Sequence, residues 1–113
     1  MRVLVVEDNH DMQMLVCEML SMLGYQARGA ATAEEALNIL ETREYDVLLT
    51  DIGLPGMDGV ALAKEVRRSL SNIKIIFASG YGDSLNTPEN VGSVMLSKPY
   101  TLVQLQSALR ECE

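Results

Sequence analysis

Asp46-Val47-Leu48-Leu49-Thr50-Asp51 is an apolar run that ends on a carboxylate, and Gly53-Leu54-Pro55-Gly56-Met57-Asp58-Gly59 follows almost at once. The run predicts a strand, and the glycine- and proline-rich stretch after it can only be a loop. On the C-terminal side, Val60 to Leu70 has helical spacing, with Ala63, Val66 and Leu70 expected to face inward. Ile73 to Ala78 predicts a further strand. Ser79 to Gly92 contains Gly80, Gly82, Asn86, Pro88, Asn90 and Gly92 and carries no helical signal. Ser93 to Ser97 predicts a short strand. Thr101-Leu102-Val103-Gln104 is a capping box opening a last helix, with Leu102, Leu105 and Leu109 on one face.

On the N-terminal side, Thr32-Ala33-Glu34-Glu35 is a second capping box. Its helix should turn Ala33, Ala36, Leu37 and Leu40 inward. Gln26 to Ala30 is a weak strand suited to an edge. Asp11 to Leu23 predicts a helix with Leu15, Met19 and Met22 or Leu23 on its inner face, stopped by Gly24. Val3-Leu4-Val5-Val6 is continuous and β-branched, as a strand covered on both faces would be. Strands and helices therefore alternate along the chain. That pattern implies a parallel sheet with right-handed crossovers. Its length suits a flavodoxin-like, doubly wound α/β fold: five parallel strands in the order 2-1-3-4-5, with the helix between the fourth and fifth strands short or absent.

The chain has 113 residues, enough for one domain. Its apolar fraction of 48% supports a real core, and its net charge of −7 argues against nucleic acid as a partner. No stretch is long and apolar enough to enter a membrane, and no signal peptide is visible. Cys17 and Cys112 have no metal spacing and fit a reduced, cytoplasmic chain, with Cys17 a small core residue. His10 has no second histidine with which to share a metal and reads as an exposed residue opening the first helix. Met12, Met14, Met19 and Met22 read as core and rim packing.

In a sheet of this kind, ligands bind beyond the carboxyl ends of the strands. Glu7 and Asp8 end the first strand, Asp51 the third, Ser79 follows the fourth and Lys98 the fifth. Each signal alone has an ordinary explanation: acids open helices, Asp sits in turns, Ser-Gly is common in loops. Their joint placement at four strand ends carries the argument. Clustered carboxylates repel one another, and a hard cation compensates. Mg²⁺ takes one or two carboxylates, several waters and a phosphate. Asp8 and Asp51 suit direct ligation, Glu7 ligation through a water, and the Gly53 carbonyl completes the set. An Asp carboxylate also serves as a nucleophile that forms an acyl phosphate. Lys98 supplies positive charge and Ser79 a hydroxyl donor to the transferred oxygens. Pro99 biases Lys98 toward extended backbone and permits a cis Lys98–Pro99 bond.

These residues resemble the response-regulator receiver domain, with coverage from Val3 to about Arg110 and a single domain over 1–113. VLVVEDN matches the family's first strand and acidic pair, LLTDIGLPGMDG its phosphoacceptor segment, IIFASG its Ser/Thr position and LSKPY its Lys-Pro motif. The resemblance implies a signalling module, not an enzyme, in which Asp51 takes a phosphoryl group in the presence of Mg²⁺. The donor would be a histidine kinase or a histidine phosphotransfer protein. Monomer or weak dimer is expected. Where many receivers carry Tyr or Phe three residues before the Lys, this chain has Met95, so the usual Ser/Thr-to-aromatic coupling does not carry over. FASGYGDSLNTPE resembles a subset of receivers that accompany HWE-type or hybrid histidine kinases. It suggests a switch by ordering of residues 80–91 around Tyr81. A chain that starts almost directly on its first strand suits a receiver within a hybrid kinase and a free regulator about equally. Two other functions compete. A phosphatase with an aspartyl-phosphate intermediate would commonly place a second Asp where Gly53 stands. A degenerate receiver acting as a scaffold would not need Asp8, Asp51 and Lys98 intact.

Overall fold

The structure is a computed structural model, and it describes residues 1–70, 72–80 and 94–112. The elements run β1 (Arg2–Val6), α1 (His10–Met22), β2 (Gln26–Ala30), α2 (Ala33–Thr42), β3 (Val47–Asp51), α3 (Gly59–Ser69), β4 (Lys74–Ser79), β5 (Val94–Ser97) and α4 (Leu102–Glu111). The five strands form one parallel sheet in the order β2-β1-β3-β4-β5. The expected topology therefore holds, with β2 at an edge. The expectation of a short or absent helix before β5, and of a role for Tyr81, falls on residues 81–93, outside the described residues.

Alternate strand residues feed two separate cores. Leu4, Leu48, Ile75 and Phe77 pack with Ala36, Leu62 and Val66 from α2 and α3. Val3, Val5, Leu49 and Ile76 pack with Val16, Leu20, Leu105 and Leu109 from α1 and α4. The central strands β1 and β3 are buried on both faces, which is why they read as unbroken apolar runs. Cys112 belongs to the second core, and Cys17 packs against it.

Helix phases differ from the expected ones at several positions. On α1 the buried residues are Val16 and Leu20, while Leu15 and Met22 are exposed at 48% and 75%. Met14 is exposed as well, so only Met19 of the long methionine set packs against the α1–α4 core. Apolar residues surround α1 nearly all the way round, so spacing alone does not select a face; contact with the sheet does. On α3, Leu62 is buried and Leu70, at the helix end, is exposed. On α4, Ala108 is buried and Leu102 only half-buried. The Thr101 capping box closes in both directions. At Thr32 the hydroxyl accepts from Glu35 N, but the Glu35 carboxylate accepts from Ala31 N, one residue before the expected partner.

Candidate functional site

Two strand ends place the acidic groups. Glu7 directly follows β1, and its N–H donates to the Ala30 carbonyl at 3.0 Å, extending the β1–β2 ladder by one residue. Asp51 is the last residue of β3 and pairs with Ala78 of β4. α3 seats its first turn directly on this point. Gly59 N donates to Ile52 O at 2.8 Å, and a Cβ on Gly59 would collide with the Asp51 carbonyl oxygen. Ile52 N in turn donates to Ala78 O at 3.2 Å, and the Thr50 hydroxyl donates to the Asp51 carbonyl at 3.0 Å. The Asp51 backbone is therefore fixed on several sides, by contacts that a linear sequence does not display.

Glu7 and Asp51 are 5% and 7% exposed, whereas Asp8 faces solvent. One carboxylate oxygen from each of Glu7, Asp8 and Asp51 lies within 4.8 Å of the others. Lys98, delivered by the end of β5, reaches into this group. Its ammonium lies 2.6 Å from Asp51 Oδ1 and 3.1 Å from Glu7 Oε1. The Lys98–Pro99 peptide is cis. Ser79 ends β4 opposite Ser97, and its carbonyl accepts from Lys98 N at 2.8 Å. Gly53 is exposed at the mouth of the loop after Asp51. The residues singled out from sequence thus lie along one sheet edge, with Glu7, Asp8, Asp51 and Lys98 brought into direct proximity. Met95 is on β5 opposite Phe77 and is exposed at 38%.

Burial and like charge set the protonation of the pair. Asp51 is raised to about 7, first by burial and then by the Glu7 carboxylate, with Lys98 pulling the other way. Glu7 is lowered: burial opposes the shift, but hydrogen bonds with Asp51, the Asn9 N–H and Lys98 outweigh it. Burial alone would lower Lys98, and its contacts with Asp51 and Glu7 raise it instead. Two buried carboxyls and one ammonium thus retain a site for an additional positive charge. The oxygen-only donor set suits a hard divalent cation, in keeping with this charge deficit.

Tyr100 was not anticipated from the sequence. It packs against the second core, and burial, followed by the charges of Asp51 and Glu7, raises its hydroxyl pKa. Only its position directly after Lys98-Pro99 could have pointed to it. The void that Tyr100 shares with Glu7, Asp51 and Thr50 measures about 10 Å³, so the acids rest on a nearly solid floor. A much larger cleft, about 340 Å³, lies between Leu40, Tyr45 and Ile73. It borders the opposite, amino-terminal edge of the sheet, so volume does not mark the chemistry here.

This edge of a doubly wound sheet, where ligands of such folds bind, carries an acidic cluster and a lysine. Residues 3–110 match the model of the response regulator receiver domain, and the chain belongs to that family. It is 37% identical to the sensor kinase CckA of Brucella abortus, over 96% of this chain but 12% of that protein. It is 28% identical to the sporulation initiation phosphotransferase F of Bacillus subtilis, over 97% of this chain and 91% of that one. Among solved structures, a response regulator receiver domain protein from Clostridium thermocellum superposes with a TM-score of 0.93 at 25% identity, covering 98% of this chain and 92% of that one. The Thermotoga maritima response regulator TrrA, solved in complex with Mg²⁺-BeF, superposes with a TM-score of 0.89 at 27% identity, covering 99% and 98%. The protein is a receiver domain of two-component signalling. Among the described residues, no helix is long and apolar enough to cross a membrane.

Proposed function

We propose that Asp51 accepts a phosphoryl group from a phosphohistidine on a histidine kinase or phosphotransfer protein, and that Glu7, Asp8, Asp51 and the Gly53 carbonyl would hold Mg²⁺. The observation that carries this reading is the Asp51–Lys98 contact of 2.6 Å inside a group of three carboxylates. Asp51 presents an oxygen from a rigid strand end. Lys98 withdraws charge from that oxygen at rest and is placed to neutralise the incoming equatorial oxygens. Ser79, at the neighbouring strand end, is the hydroxyl donor to the transferred group. Mg²⁺, when bound, would supply further positive charge to offset that of the transferred group. The finer likeness, to receivers of HWE-type or hybrid histidine kinases, is supported by the FASG stretch at 77–80 and by the identity to a sensor kinase. The chain spans only 12% of that relative, so a parent kinase and its signal remain part of the proposal.

Acetyl phosphate with Mg²⁺ is the direct test. Intact-mass measurement should show one phosphoryl group on the native protein and none on Asp51→Asn. Modification that persists in Asp51→Asn would overturn the assignment.

A further inference from the structure

Helix α1 reaches back to the acidic turn through one side chain. Gln13 Nε2 donates to the Glu7 carbonyl at 3.0 Å. That carbonyl needs a donor. In a parallel ladder a residue bonds to the same neighbour through its N–H and, two residues further along that neighbour, through its carbonyl. The Glu7 N–H finds Ala30, but β2 ends there, and Thr32 turns away as the N-cap of α2. Gln13 replaces the ladder donor that the sheet does not provide.

The side chain has room to do so only because position 29 lacks one. A Cβ on Gly29 would collide with the Gln13 carboxamide and with its Cδ and Cγ. Gly29 is not in the left-handed region, so its backbone conformation does not demand glycine. The demand comes from Gln13. Glu7 is held at four points: its N–H by the Ala30 carbonyl at 3.0 Å, its carbonyl by Gln13, Oε2 by the Asn9 N–H at 3.3 Å and Oε1 by Lys98 at 3.1 Å. Asn9 is itself fixed as the N-cap of α1, accepting from Met12 N through its side chain and from Gln13 N through its carbonyl.

We propose that Gln13 is a positioning residue for the Glu7–Asp8 turn and that Gly29 is the seat that lets it act. The consequence for the cation rests on the function proposed above. An unanchored carbonyl would let the turn rotate, and the oxygens of Glu7 and Asp8 would no longer start within reach of Asp51.

Two variants break the contact by independent routes. Gln13→Met keeps the length and packing and removes the donor; Gly29→Ala keeps the donor and evicts it. Both should move the Glu7 carbonyl carbon and Asp8 amide NMR resonances in the metal-free protein, in the same direction. Both should weaken Mg²⁺ affinity, read by calorimetry, by about tenfold, the lower end of the cost of losing an orienting contact. The double variant should bind Mg²⁺ no more weakly than either single one, because the second change has nothing left to remove. Unmoved Glu7 and Asp8 resonances in Gln13→Met, or multiplying losses in the double variant, would overturn the proposal. If the native protein binds no Mg²⁺ yet the resonances shift together, the metal reading fails and the positioning role stands.

Discussion

Lys98 is the residue on which the site's electrostatics turn. Its ammonium contacts the Asp51 and Glu7 carboxylates while itself only partly exposed. Removing one partner of a buried ion group leaves the others uncompensated, and that costs more than the pair is worth intact. Lys98→Met should therefore destabilise the metal-free protein at neutral pH by about 1–3 kcal/mol, reduced from the fully buried case because Lys98 retains solvent contact. Urea unfolding measures it, and an unchanged midpoint would show that solvent already screens the group. Asp8 has a different character. It is exposed, so its carboxylate carries no comparable desolvation cost.

At the scale of elements, α3 starts so close to the end of β3 that a single Cβ on Gly59 would not fit between them. Gly59 opens α3 and lies against the Asp51 carbonyl, so any side chain there must push the helix off the strand or displace Asp51. Gly59→Ala is expected to destabilise by about 2–4 kcal/mol, in the range of other severe backbone clashes. It should also reduce phosphorylation by acetyl phosphate even in the fraction that remains folded. The phase of α1 provides a second check. Val16 is 3% exposed and Leu15 48% exposed, although either would suit an apolar stripe. Val16→Ala should cost about 1–2 kcal/mol in chemical denaturation and Leu15→Ala under about 0.5 kcal/mol. Equal costs would place the helix in the wrong rotation.

Across the whole molecule, the site opposes the fold that builds it. Asp51 titrates from an ordinary 3.8 up to about 7 on folding. A carboxyl raised in this way gives stability that is complete below its unfolded value and is lost as pH rises through the folded one. Glu7 is lowered, and its contribution is lost only in stronger acid. From about pH 5 to about pH 8 the Asp51 effect is the one that changes, so the urea midpoint of metal-free protein should fall across that window. Saturating Mg²⁺ should flatten the slope and raise the unfolding free energy at the upper end, by about 2.7 kcal/mol at a hundredfold excess over the dissociation constant. Asp51→Asn should abolish both effects. A native protein whose midpoint is insensitive to pH and to Mg²⁺ would contradict the coupling between site and fold.

The sequence by itself determined the order of elements, the parallel sheet and which residue types stand at the strand ends. These depend on local pattern: continuous β-branched runs such as Val3 to Val6, capping residues such as Thr101, and acids or a lysine directly after them. Tertiary structure alone decided which side of α1 is buried, that Lys98 lies against both Asp51 and Glu7, that Gly59 abuts Asp51, and that Gln13 completes the β1 ladder through the space left by Gly29. Each of these is a contact between distant segments. Its energy comes from desolvation and close packing, which depend on what lies opposite a residue in space and not on the residues beside it in the chain.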